Sequence, residues 1–511
     1  MVHKLRGMFA FAIWDESKKE LWLVRDRMGI KPLYYTFING TFIFASEIKA
    51  ILKDRSVKRE VNEEGFYHYL SFLTTPPPQT LFQGIYKIPA GHMLTLKNGN
   101  SKLEQYWDVL DNVEPLYGKD ESFYTERLLE LLRESVKLRM VSDVPIGVFL
   151  SGGIDSSTNT ALFSEFTNDV KTFSIGFKGQ EKYNEFQYAR KVADIFKTKH
   201  HEVIIDVEDL INFLEQLVYY QDEPIADPVC VPVYFVSKLA KDNGVTVCQV
   251  GEGADELFCG YPIWGIMLKL HQLSRYWRFV PSSMRMVGLE VLKTVGKGKS
   301  RYYELLRRAH NKESIFWGGA DAFNEAQKKS FLSRRLREKF KNKSSYEVVE
   351  KLYRRFLAES PLHDYLNFMT YLDISFRLPE LLLMRVDKMS MAVSLEARVP
   401  FLDHKLVEFA MSIPQSVKVR NGELKHIMKK TVEPVLPYEI IYRKKQGFGV
   451  PVREWFFQKL GDFTRGELLS FTQKTDFFDK SVIRERSEKG RGDTLWFLLN
   501  FALWHKRWIE A

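Results

Sequence analysis

The spacing of apolar and polar positions changes near residue 120 of this chain. Before that point the runs 8–14, 21–24, 33–37 and 41–45 are short, aromatic and β-branched. Turn-forming clusters separate them: Asp15-Glu16-Ser17, Arg27-Met28-Gly29 and Asn39-Gly40, the last a strong hairpin marker. The pattern predicts an antiparallel β-rich unit over residues 1–107, with further strands on either side of Pro89-Ala90-Gly91. Residues 108–120 are polar, contain Pro115 and Gly118, and read as a linker. Beyond it Leu128, Leu131, Leu132, Val136 and Leu138 recur at helical spacing, which predicts an amphipathic helix over 121–140. Strand and helix patterns then alternate: strand 144–150, helix 156–165, strand 172–177, helix 185–196, strand 201–205. Such alternation gives an α/β unit with a doubly wound parallel sheet, whose ligand meets the carboxyl ends of the strands. Residues 266–376 read as mixed helical patterns that add bulk and a wall to the site.

At 511 residues the chain exceeds one hydrophobic core, and 45% hydrophobic content makes it globular. Three cysteines, Cys230, Cys248 and Cys259, have neither metal-site spacing nor the density of a disulfide scaffold. No run is long and apolar enough to span a membrane, so a cytoplasmic protein without a membrane partner is expected. The net charge of +10 suits phosphorylated substrates, and much of the excess lies in 269–343. Basic helical faces are usually just solvated, and no RNA-binding module is recognisable, so no nucleic-acid partner is expected.

The chemistry concentrates where strands end in glycine. Residues 150–157 read LSGGIDSS at the end of an apolar run. Gly152 and Gly153 let backbone amides approach a ligand, a following helix start attracts anions, and Asp155 can hold a divalent metal. Residues 245–261 repeat the device, with Gly251 and Gly253 around Glu252, Asp255 and Glu256. An acidic helix start accounts for the carboxylates, but not for the glycines. Residues 442–451, YRKKQGFGVP, place three cations beside two glycines. His200 and His201, adjacent on a strand, face opposite ways and read as structural.

The string VFLSGGIDSS resembles the pyrophosphate loop of the ATP pyrophosphatases, and TFSIGF, GEGADE, ELLLMRVDKMSMAVSLEARVPFLDH and YRKKQGFG follow in the order found in the asparagine synthetase family. LRGMFAFAIWD, RDRMGIKPLYY and FASEIKAIL resemble the second half of the glutaminase domain of class II glutamine amidotransferases, with Arg25, Asp26, Ser46 and Glu47 at family positions. The resemblance implies a partial Ntn hydrolase-like domain at 1–107 and an adenine nucleotide alpha hydrolase-like synthetase domain at 121–511. It implies an ATP-dependent ligase that activates a carboxylate, aspartate by default, as an acyl-adenylate and then amidates it with ammonia.

The site residues carried over by that resemblance are Phe149, Leu150, Ser151, Gly152, Gly153, Asp155, Ser156, Ile175 and Gly251 for ATP and pyrophosphate. Asp155 and Asp255 are implied ligands of Mg²⁺, Glu252 and Lys445 catalytic groups, and Asp387, Glu396 and Arg398 parts of an acceptor pocket. Val250 and Ala254 stand where the family often has serine. The family's glutaminase nucleophile is an N-terminal cysteine, and here no cysteine precedes Cys230, so the glutaminase half is expected not to be competent in this chain. Another carboxylate acceptor, a non-catalytic nucleotide-binding remnant and a homodimer stay open.

Overall fold

The computed structural model describes residues 1–277, 279–298, 300–319, 322–488 and 492–510, without the side chains of 275, 492 and 493. Its first hundred residues form two antiparallel sheets. Strands β1 (Ala10–Asp15), β2 (Glu20–Arg25), β3 (Tyr34–Ile38), β4 (Thr41–Ala45), β5 (Ile85–Lys87), β6 (His92–Lys97) and β7 (Asn100–Gln105) are arranged as β1-β2-β6-β7 and β4-β3-β5. Asn39 and Gly40 join β3 to β4 with φ of +48° and +80°. Positive φ at both central residues matches the twist of the two strands, and only Asn, Asp and Gly adopt it readily. Asp26 shapes the turn after β2 by accepting backbone N–H bonds from Met28, Ile30 and Lys31 at 2.9–3.1 Å.

The larger part is built on a five-stranded parallel sheet. Its strands are β8 (Ile146–Phe149), β9 (Lys171–Phe177), β10 (Lys199–Ile205), β11 (Val247–Gln249) and β12 (Glu396–Arg398), in the order β10-β9-β8-β11-β12. The chain winds outward from β8 through β9 to β10, then returns to β11 on the other side of β8. That reversal opens a crevice outside the carboxyl ends of β8 and β11, where ligands of open α/β sheets bind. Gly147 in β8 packs so closely that a Cβ there would lie 2.7 Å from the Phe173 ring. His200 bonds Thr172 Oγ1 at 2.8 Å and His201 stacks on Phe173, both structural contacts.

Two boundaries differ from the sequence reading. The strand expected over 144–150 is the shorter β8, and the helix expected from Ser156 begins at Ile154. Gly153 is extended, at φ −74° and ψ 156°, and so caps a helix whose first turn already includes Asp155. Residues 108–120 are pinned rather than free: Val109, Leu110 and Val113 are buried, and Leu116 N–H bonds the Ser412 carbonyl at 3.1 Å.

Buried charges join the two parts. Arg25 meets Glu380 at 3.1 Å, Lys87 meets Glu223 at 2.7 Å, and Lys31 meets Asp387 at 2.8 Å. The first two are fully desolvated and linked, Lys87 also meeting Glu380 at 3.1 Å, so removing one member leaves a buried charge short of a partner and costs about 3–5 kcal/mol.

Candidate active site

The two glycine-ended strands deliver their loops to one place. Leu150 N–H bonds the Phe173 carbonyl at 2.9 Å, which ends β8 beside β9. Gly152 then takes φ +74°, and a Cβ on it would lie 2.5 Å from Tyr188 Cβ and 2.6 Å from the Ala189 nitrogen. Ser151 and Ser156 close the turn, with their hydroxyls 3.1 Å apart. On the neighbouring strand, Val250 N–H bonds the Arg398 carbonyl at 2.8 Å and Gly251 passes close against the first loop. A Cβ on Gly251 would sit 3.3 Å from both Asp155 Cβ and Ser156 N. Gly253, at φ +98°, turns the chain into the helix Ala254–Phe258, which begins with Asp255 in its first turn.

Between the loops lies a cavity of about 440 Å³, a volume suited to a nucleotide. Phe149, Leu150, Phe173, Ile175, Val233 and Val236 give it an apolar wall. Ser151, Gly153, Asp155, Ser156, Gly251, Glu252, Asp255 and Lys445 line it too, so the structure brings together nearly all of the predicted nucleotide, metal and catalytic positions. Gly152 stands behind the loop and does not line the cavity.

Lysines from the distant part of the chain complete the cluster. Lys425 Nζ donates to Asp155 Oδ1 and Oδ2 and to Asp255 Oδ1, each at 2.6 Å. Lys445 Nζ bonds the other Asp255 oxygen and lies 4.8 Å from the centre of the Tyr261 ring. Burial pushes the Asp155 carboxyl up, against the pull of Lys425. Burial acts the same way on Asp255, but Lys425 and Lys445 outweigh it and hold that carboxyl below its usual range. Burial alone would discharge Lys425; the two carboxylates keep its pKa above the ordinary lysine value. Asp155 and Asp255 thus direct three carboxylate oxygens at one point, which the Lys425 ammonium occupies; oxygens of this kind are also the donors a hard divalent cation takes.

Arg443 ties the basic loop to the glycine loop after β8. Its Nε donates to the Gly152 carbonyl at 3.1 Å, Nη2 donates to Glu185 at 2.5 Å, and the guanidinium lies 4.2 Å from the centre of the Tyr188 ring. Glu252 faces the cavity with Oε1 accepting from Arg385 Nη2 at 2.8 Å, while Arg385 Nη1 donates to Asp227 at 2.5 Å. Burial pushes the Glu252 carboxyl up, and Arg385 works against it. Glu256, next to Asp255, points away and accepts from the Tyr261 hydroxyl at 2.5 Å.

The three acceptor-pocket residues are not brought into the cavity. Asp387 faces the first domain, 2.8 Å from Lys31. Glu396 and Arg398 pair with each other at 2.6 Å on β12, at the sheet edge, and Arg398 turns to the carbonyls of Arg139 and Val141 ahead of β8. Expected to shape an acceptor pocket, these residues are engaged here in packing an edge strand and an interface. Sequence reasoning passed over Lys425 and Arg385, the two cations that hold the carboxylates of the site. Arg385 lies within the segment ELLLMRVDKMSMAVSLEARVPFLDH but is not singled out among its charges, and Lys425 has no glycine beside it.

A family model described as asparagine synthase matches residues 127–506, and one described as a glutamine amidotransferase domain matches residues 1–107. The chain is 35% identical over 514 residues to glutamine-hydrolysing asparagine synthetase 1 of Bacillus subtilis, covering 99% of this chain and 78% of that protein. It is 30% identical over 525 residues to a putative glutamine-hydrolysing asparagine synthetase of Mycobacterium tuberculosis, covering 100% and 78%. A solved NMN synthetase from Francisella tularensis overlaps 28% of this chain and 59% of its own at 17% identity and a TM-score of 0.20, too little to bear on function.

Proposed function

The chain belongs to the asparagine synthase family, and on that premise we propose that it makes asparagine from aspartate, ammonia and ATP through an aspartyl-adenylate. A side-chain carboxylate oxygen of aspartate attacks the α-phosphorus of ATP, and the bond to the β-phosphate oxygen breaks to release pyrophosphate. Ammonia then attacks the activated carbonyl carbon, the bond to AMP breaks, and the nitrogen gives up a proton.

The loop 151–156 holds the phosphates with backbone amides and the Ser151 and Ser156 hydroxyls. Lys445, at the cavity mouth, offsets charge on the departing pyrophosphate, and Lys425 keeps the two aspartates from repelling each other. Asp155 and Asp255 would hold Mg²⁺, which supplies charge neutralisation at the phosphates when bound. Glu252, with a carboxyl raised by burial and oriented by Arg385, accepts the proton from the attacking nitrogen.

The observation that carries the proposal is the meeting of Asp155, Asp255, Lys425 and Lys445 at one end of a nucleotide-sized cavity. The purified chain, given ATP, Mg²⁺, aspartate and ammonium, should yield asparagine, AMP and pyrophosphate in equal amounts. ADP and phosphate as products would refute it.

A further inference from the structure

The helices Pro262–Trp277 and Ser282–Thr294, with the turn between them, carry a second apolar face that the core does not use. On the second helix Leu289 is buried, yet Met284, Val287 and Val291, with Val295 just past its end, are 53–63% exposed. Their spacing of three and four residues puts them in one stripe. The first helix repeats this arrangement. Trp264, Met267 and Leu268 are buried, while Ile266, Leu273 and Tyr276 lie in the open at spacings of seven and three. Phe279, in the turn, is 85% exposed. Scattered exposed apolar residues need no explanation; a row of four along one helix, preceded by three more on the helix before it and an exposed aromatic in the turn, is more than scatter and marks a surface of the kind that meets something else.

Charge says what that is. Residues 262–300 contain seven Lys and Arg (269, 275, 278, 285, 293, 297 and 299) and a single acid, Glu290, a net of +6 against +10 for the whole chain. Residues 278 and 299 and the side chain of 275 lie outside the described residues, but their charge is part of the segment. Lys269, Lys293 and Lys297 are exposed beside the stripes. A second copy of the chain, meeting this face about a two-fold axis, would set these cations against the same cations. An apolar ridge flanked by lysine and arginine instead has the composition of a segment that lies in the plane of a bilayer interface and is drawn there by anionic headgroups.

We propose that this helical hairpin docks the protein on an anionic membrane surface, its apolar stripes entering the headgroup boundary and its cations resting on lipid phosphates. Among the described residues no helix is long and apolar enough to cross a membrane, so the contact is peripheral. This departs from the plain reading of the segment as a solvated basic face. Pro262, the first residue of the hairpin, lines the nucleotide cavity, so the docked face is joined to the catalytic site by one helix.

The test is co-sedimentation of the full chain with vesicles of phosphatidylcholine alone and of phosphatidylcholine with phosphatidylglycerol. Binding should be at least tenfold stronger to the anionic vesicles and should weaken with added salt. A Val287→Glu/Val291→Glu variant should lose it tenfold or more, and Lys269→Glu/Lys297→Glu should lose it severalfold. These side chains face solvent, so melting temperature and pyrophosphate formation in solution should stay unchanged in both. No binding to anionic vesicles, equal binding to neutral ones, or full binding by the Val287→Glu/Val291→Glu variant would overturn the proposal. So would a dimer in sedimentation velocity that this variant splits, which would assign the face to a second copy.

Discussion

Arg385 donates from Nη2 to Glu252 Oε1 at 2.8 Å and so sets a cation directly against that carboxylate. Burial raises the Glu252 carboxyl and Arg385 lowers it, so removing the guanidinium moves it further up. Arg385→Met should therefore shift the acid limb of the pH profile for asparagine formation to higher pH and lower kcat by about 10²-fold. Arg385→Lys should restore part of both. An unmoved acid limb would mean that another group titrates there.

Lys425 and Lys445 both bond Asp255 but sit differently, with 5% and 32% of their side chains exposed. Lys425→Met leaves two half-buried carboxylates facing each other with Lys445 alone to offset them, and should lower stability as well as activity. Lys445→Met should leave the melting temperature nearly unchanged while lowering pyrophosphate formation about 10²- to 10³-fold. Thermal melting and initial rates on the same two variants separate these roles.

At Gly152 the positive φ and the wall formed by Tyr188 and Ala189 act together. Gly152→Ala should cost about 1–3 kcal/mol from backbone strain alone, with the clash added, and should abolish the rise in melting temperature caused by ATP. Gly179→Ala is the control: φ is +66° there but nothing lies within 4 Å of an added Cβ. It should cost about 1 kcal/mol and keep the response to ATP.

The parts of the site legible in the sequence are those made by local rules. A buried strand that stops in glycine announces itself within ten residues, and both such junctions, at Leu150–Gly153 and at Val250–Gly253, lie where the sheet reversal puts a ligand. Lys425 obeys no local rule. It sits at φ +61° with no glycine beside it, and its carboxylate partners are 270 and 170 residues away. Arg385 is hidden for the same reason, 133 residues from Glu252. Glu396 and Arg398 lie near Asp387 in sequence, yet β12 carries them along the sheet edge, where they pair with each other.

Burial brings the Lys418 ammonium down to about 8, where it donates to Asn367 Oδ1 at 2.9 Å. An unfolded lysine keeps its proton up to about 10.5, so between these values the unfolded chain binds more protons than the folded one. Stability contributed through this group therefore rises with pH across that window, by about 3 kcal/mol in full. Below pH 8 both states are charged and the penalty is constant. Lys418→Met should remove this rise, seen as a smaller gain in melting midpoint between pH 8 and 10 than in the wild type.

Adenylation of the acceptor is tested most directly by the fate of its oxygen. With aspartate carrying ¹⁸O in its side-chain carboxylate, together with ATP, Mg²⁺ and ammonium, attack on the α-phosphorus predicts that one labelled oxygen leaves in AMP, while pyrophosphate stays unlabelled. Label in inorganic phosphate with ADP as the nucleotide product, or asparagine formed beside unlabelled AMP, would contradict the reaction assigned to Asp155, Asp255, Glu252 and Lys445.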